Sequence, residues 1–192
     1  MRAVPAPVCP SLSRTGRTWT FSLVLLLSGC AAVTPLRLPV TPTTLDAREL
    51  EGTWHVVATT FPMWLDGKKT KPRFTYSNVR IEDGVTRMDD LVSYVEDGKP
   101  GSIEGVDTQG KTPTHFTWRG KGLLALFKSE WDVVFVSADR SWAIITFSKT
   151  LATPEGMDVI SRKPVLPGEA MKVVEENEAL RRLLPLTPTL SP

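Results

Sequence analysis

Two histidines, two cysteines and one pair of adjacent aspartates are the places in this 192-residue chain where chemistry could start. A zinc site or an activated nucleophile needs several such groups converging on one point. His55 directly follows Trp54, so on an extended strand it alternates to the outer side, and His115 stands on a short strand with no acidic partner at ligand spacing. Asp89 and Asp90 face opposite ways along one strand, which removes them as a paired acid and base and leaves a solvated strand. No Gly-rich phosphate loop and no serine nucleophile elbow occurs. The chain is therefore expected to have no catalytic residues, no metal and no cofactor. One further pair has a different chemistry. Gly52-Thr53-Trp54 lies near the start of the body and Arg162 near its end, and a guanidinium stacks on an indole face.

The remaining reactive group is Cys30. Before it, residues 1–29 contain Arg2, Arg14 and Arg17 with no acidic residue, followed by an apolar stretch from Trp19 to Leu27. That stretch is too short to span a bilayer and reads as the apolar region of a secretory signal, residues 1–29. It ends in Leu27-Ser28-Gly29-Cys30, which resembles a bacterial lipobox: small residues fit a peptidase pocket, and the thiol can take a diacylglyceryl group. The alternative is an ordinary export signal with an incidental cysteine. Cys9 falls inside the segment that cleavage discards, so the mature body has no disulfide and relies on core packing. Three of the 23 Lys and Arg precede Cys30 and none of the 21 Asp and Glu does, so removing that segment leaves a formal charge of −1. With no basic run interleaved with aromatics, nucleic acid is not an expected partner.

The elements that must position these residues follow from pattern. Residues 30–44 are rich in Pro and Thr and read as a tether, able at ~3.1 Å per residue to hold a domain about 40 Å from a membrane. Leu45 to Glu51 could form one helical turn. Eight strands follow, near Thr53–Thr60, Arg73–Glu82, Val85–Glu96, Ser102–Thr108, Thr114–Gly120, Leu123–Ala138 with a bend at Lys128–Glu130, Ser141–Lys149, and Gly156–Lys163. Asp83-Gly84 and Asp97-Gly98 tolerate positive φ and mark hairpins, and short links argue for up-and-down antiparallel order. The long connection, Phe61 to Pro72, carries Pro62, Met63, Trp64 and Leu65. From Gly168 to Leu184 the period becomes helical, with Met171, Val173, Val174, Leu180 and Leu184 on one side. Residues 185–192 suggest no element and read as a disordered tail.

Three stretches in order resemble the lipocalin family: Leu50-Glu51-Gly52-Thr53-Trp54-His55-Val56-Val57-Ala58, Trp131-Asp132-Val133-Val134-Phe135-Val136-Ser137-Ala138-Asp139-Arg140-Ser141-Trp142, and Ile160-Ser161-Arg162-Lys163-Pro164. His55 stands where that family usually has an aromatic. The resemblance covers about residues 45–184. It implies an all-β domain, an eight-stranded up-and-down antiparallel barrel with a C-terminal α-helix packed outside. It also implies a floor made by Gly52, Trp54 and Arg162, a lid in the loop after the first strand, and binding rather than catalysis. Alternation then places Trp54, Val56, Ala58 and Thr60 inward, pairs Phe74 with Tyr76, and groups Trp131, Val133 and Phe135, so these line the expected ligand space. Whether Trp142 and Ile144 face in is left open by parity.

The expected ligand is a fatty acid such as palmitate, a lysophospholipid or another small hydrophobic molecule. The expected anchor is an acylated Cys30 in the bacterial outer membrane, facing the periplasm, since Ala31 lacks the Asp that favours inner-membrane retention in enteric bacteria. Two other readings remain: a structural lipoprotein whose barrel is filled by its own aromatics and docks a partner, and an enzyme acting on lipids or carotenoids.

Overall fold

A computed structural model describes residues 44–150 and 153–189. The signal segment, Cys30, the tether up to Thr43 and the last three residues lie outside the described residues.

Eight strands form one closed antiparallel sheet: β1 Gly52–Thr59, β2 Lys69–Glu82, β3 Val85–Glu96, β4 Lys99–Gln109, β5 His115–Gly120, β6 Lys128–Val136, β7 Trp142–Phe147 and β8 Gly156–Ser161. Each pairs with the next, and β1 closes the ring by pairing with β8 along its second half and with β2 along its first. Closure leaves no long edge, which is how a domain without disulfides holds its sheet together. Both Asp-Gly dipeptides adopt the geometry their composition favours: φ is 53° and 76° at Asp83 and Gly84, and 51° and 73° at Asp97 and Gly98. Positive φ at both central residues matches the strand twist, so each turn fixes its hairpin.

Two apolar layers result. The inner one fills the barrel with Trp54, Val56, Phe74, Tyr76, Met88, Phe116, Trp131, Val133 and Ile145 among others. The outer one packs Val57, Ala58, Trp142, Ile144, Met157 and Val159 beneath a helical cover. That cover differs from the single helix expected over 168–184: α1 Ala170–Glu176 and α2 Glu178–Arg181 are separated at Asn177. The Asn177 side chain accepts from the backbone of Ala179 and Leu180 and starts a new helix, the role short amide side chains favour over mid-helix positions.

Three other expectations are corrected. The strand placed from Leu123 begins only at Lys128; before it, Gly122–Leu124 form a 3₁₀ turn. A Cβ at Gly120 would overlap the Leu124 carbonyl, so the chain folds back here over a glycine instead of running on straight. The tail is not without structure: Thr187–Pro188 add a ninth strand, β9, along Ala58 and Thr59, and Leu186 is buried. β2 has no pairing with β1 beyond His55–Arg73, and β9 takes that place.

The third correction concerns which side chains face inward. Pairing slips by one residue between Val56 and Ala58 in β1 and between Val133 and Phe135 in β6. A bulge adds one residue and reverses the parity beyond it. Ala58 and Phe135 therefore leave the lumen for the outer layer, where Phe135 packs on Trp142 at 4.5 Å between ring centroids. Trp142 and Ile144 belong to that outer layer as well.

Candidate functional site

The lower end of the barrel is sealed by backbone and indole. A 3₁₀ turn at Ala47–Leu50 brings the Leu50 carbonyl under Trp54, whose Nε1 donates to it at 2.7 Å. The Arg162 guanidinium carbon lies 3.6 Å from the Trp54 ring centroid, and its nitrogens donate to the carbonyls of Glu49 at 3.0 Å and Thr53 at 3.4 Å. Gly52 has φ +98°, and a Cβ there would lie 3.0 Å from Arg162 Nη1, so both conformation and close approach require glycine. Burial lowers the Arg162 pKa, yet the cation stays where indole and carbonyls surround it.

Above the floor, rings fill the lumen. Phe116 stacks on Trp131 at 4.5 Å, Trp131 on Tyr76 at 5.7 Å and Tyr76 on Phe74 at 6.2 Å. Higher still, Phe147 lies 6.4 Å from Phe74 and meets Phe61 edge-on at 5.4 Å. Between these upper rings and the mouth loops is an open cavity of about 290 Å³. It is lined by Phe61, Met63 and Trp64 from the β1–β2 loop, by Phe74, Val92, Ile103, Trp118 and Phe147 from the strands, and by Leu124 and Phe127 from the β5–β6 loop. Lys128 stands among the residues around it and Asp158 supplies a carboxyl from β8.

Three aspartates are buried inside the barrel. Asp158 accepts from Thr59 Oγ1 at 2.5 Å, and desolvation pushes its pKa up to about 7. Asp107 accepts from Trp131 Nε1 at 2.7 Å and is likewise pushed up to about 7 by burial. Asp90 lies well above the ordinary carboxylate range because burial and the neighbouring Asp107 both oppose its charge. Asp90 Oδ1 and Asp107 Oδ2 make no hydrogen bond. A Cβ at Gly105, opposite Asp90, would overlap Trp118 Nε1; the missing side chain admits an indole whose dipole favours the Asp90 anion without a well-formed bond. Tyr76 is raised well above its usual pKa, first by burial and then by the Asp90, Asp107 and Asp158 carboxyls.

No protein-family model matches the chain, and neither does any curated protein sequence. Among solved structures it is similar to insecticyanin from the tobacco hornworm Manduca sexta, with a TM-score of 0.60 and 16% identity over 80% of this chain and 85% of that one. It is similar also to the siderocalin Ex-FABP, with a TM-score of 0.56 and 14% identity over 75% of this chain and 95% of that one. The chain has the lipocalin fold. At these identities the likeness concerns architecture.

Within this lipocalin barrel the residues expected to meet ligand divide into three groups. Phe74 lines the cavity. Trp54, Val56, Tyr76, Trp131 and Val133 lie in the inner core and do not line it, while Ala58 and Phe135 are outside the lumen. Gly52 and Arg162 stay at the floor. Sequence reasoning missed Phe61, Val92, Ile103, Trp118 and Phe147, and above all the interior carboxyls. Asp89 does face outward, held by Asn78, Arg80 and Lys121 at 3.1 to 3.3 Å. His115 does have an acidic partner: its Nδ1 lies 3.0 Å from Asp132 Oδ1 on the adjacent strand. Spacing along one strand could not show a partner on the next. Among the described residues no third His, Cys, Asp or Glu joins them in a metal-sized group. His55 is partly buried opposite Arg73, and burial, then that cation, lowers its pKa.

Proposed function

We propose that this chain is an envelope lipoprotein that holds one small hydrophobic ligand in the mouth of its barrel, a fatty acid or a lysophospholipid, with its tail inward. The observation that carries the reading is the open, ring-lined cavity of about 290 Å³. Small-molecule sites run from roughly 300 to 1,000 Å³, so this one suits a single acyl chain better than a bulky ring system or a two-chain lipid. Lys128 near the opening offers a cation to a carboxylate or phosphate, whereas Asp158 inside favours a neutral tail end. The dual ligand specificities named for the siderocalin Ex-FABP support a fold of this kind serving more than one ligand.

Adjacent positions on β3 test it. Val92 lines the cavity and Leu91 points out, so Val92→Arg places bulk and charge in the ligand's space while Leu91→Arg does not. Burying ten methylenes offers about 8 kcal/mol before ordering costs, so a fluorescent long-chain fatty acid should bind the detergent-solubilised chain with micromolar Kd. Val92→Arg should weaken that at least roughly thirtyfold, about 2 kcal/mol. Equal losses at both positions, or no binding by any acyl probe, would remove the ligand reading.

Membrane attachment in this proposal runs through Cys30, with acyl chains contributing about 0.8 kcal/mol per buried methylene. The chain purified from membranes should carry the mass of a diacylglyceryl group on Cys30, and Cys30→Ala should appear in the soluble fraction. Retention of the variant on membranes after a salt wash would sink this part.

A second reading has its own observation. The Phe116–Trp131–Tyr76 stack fills the lower barrel, as a structural lipoprotein docking a partner would need. Native mass spectrometry of the purified chain separates the two: bound small molecule supports the first, and an empty chain retaining a protein supports the second.

A further inference from the structure

The β5–β6 loop presents its apolar side chains to water. Leu123 is 98% exposed, Leu126 92% and Phe127 50%. Other exposed large apolar residues, such as Ile81 and Val165, stand singly, as is normal on any surface. Three within five residues at one tip are a different matter. The loop is not a loose end that has failed to fold back. Lys121 N donates to Glu104 O at 2.9 Å, Leu124 N to Lys121 O at 3.0 Å, Phe127 N to Leu124 O at 2.9 Å, and Arg119 Nη1 to Ala125 O at 3.1 Å. These bonds pin the backbone with Leu123 and Leu126 pointing outward.

Two further observations say what covers the tip. Lys121 and Lys128 bracket it, each about half exposed and held only by a surface carboxylate, Asp89 at 3.3 Å and Glu130 at 2.7 Å. Such pairs are worth little in water and can be exchanged for lipid phosphates. The same loop also forms part of the cavity wall through Leu124 and Phe127. A projecting apolar tip flanked by cations stands beside an acyl-sized opening. It fits an interface where apolar groups enter the acyl boundary and cations meet phosphate.

We infer that the β5–β6 loop is a bilayer-docking element: Leu123, Leu126 and Phe127 enter a leaflet containing anionic lipid, and the barrel mouth is set on the membrane surface. The docking contact does not depend on what occupies the cavity.

The test uses the full chain on vesicles of phosphatidylethanolamine with phosphatidylglycerol. The photoreactive residue p-benzoylphenylalanine replaces Leu126 in one protein and Ile81 in the other, and lipid adducts are counted by mass spectrometry after irradiation. Roughly tenfold more adduct is expected at position 126 than at 81, falling several-fold in high salt or when phosphatidylcholine replaces the anionic lipid. Equal yields, no lipid adduct at 126, or cross-links there to another copy of the chain or to a different protein would overturn the inference. In a second arm, the Leu123→Ser, Leu126→Ser double variant should keep its affinity for a fluorescent fatty acid in detergent but take it up from vesicles at least about fivefold more slowly. Unchanged uptake overturns the inference too. Absence of fatty-acid binding in detergent by either protein removes only the ligand reading, because the cross-linking result is independent of it.

Discussion

Trp131→Ala should lower stability by about 4 kcal/mol and the melting temperature by roughly 10–20 °C, the largest effect expected of any single truncation in the inner core. Its ring lies 4.5 Å from Phe116 and 5.7 Å from Tyr76, so its loss breaks a continuous stack. Among the described residues its N–H is also the one hydrogen bond made to the Asp107 side chain, a fully buried carboxyl. Trp131→Phe separates the two roles. It keeps an apolar ring but leaves Asp107 without a donor, at about 1–3 kcal/mol. A lost donor favours the protonated acid, so the Phe variant should be worse at pH 8 than at pH 5. Thermal melts at both values decide, and an equal deficit would mean that Asp107 is not held by the indole.

Much of this fold could be read from the chain because its strongest signals are local. Two Asp-Gly turns, a glycine two residues before a tryptophan and an arginine near the end of the last strand each depend on backbone conformation or close approach. The two bulges were hidden for a definite reason. Val56-Val57-Ala58 and Val133-Val134-Phe135 are apolar on both faces, because one face meets the lumen and the other the helices. Alternation in such a run has no polar residue to reveal a shift, and Ala58 and Phe135 were misplaced by one step each.

The interior acids were hidden differently. Asp89 and Asp90 do point to opposite faces of β3, but the expected solvated strand holds only for Asp89, since Asp90 is buried. The relevant neighbour lies across the hairpin. Given the Asp97-Gly98 turn, Glu96 pairs with Lys99, Val92 with Ile103, Asp90 with Gly105 and Met88 with Asp107. That register sets Asp90 and Asp107 diagonally on one face, within reach of each other's charge. It also puts Val92 and Ile103, both cavity residues, on that face. A regular β3–β4 hairpin thus held the information. The β2–β3 pairing did not, because it shifts twice between its turn and Lys69. The β1–β2 segment is legible as a long loop, but only three-dimensional closure brings Phe61 to Phe147.

Those acids should make this protein most stable on the acid side of neutrality, the reverse of a domain whose carboxylates are held by cations. Unfolded, Asp158 and Asp107 titrate near 3.9. Folded, both are raised to about 7, and Asp90 is raised as well. Between about pH 4 and pH 7 the folded chain therefore keeps protons that the unfolded chain has released, and stability falls as pH rises, at about 1.4 kcal/mol per unit for Asp158 and in the same direction for the Asp90 and Asp107 pair. Over that window Asp158 alone accounts for on the order of 4 kcal/mol. Melting temperature should rise as pH drops from 8 to 5. Asp158→Asn preserves an acceptor for Thr59 Oγ1 while removing the titration, so it should raise stability at pH 8 and flatten the profile. Because Asp158 lines the cavity, the same ionisation reaches the ligand. A charged carboxylate there opposes an inserted acyl tail and a neutral acid does not. A fluorescent fatty acid should then bind more tightly at pH 6 than at pH 8 in the native chain and almost equally in Asp158→Asn. A melting temperature that stays flat from pH 5 to pH 8 would show that these carboxyls are paired with cations or solvated and that the barrel interior is not their environment.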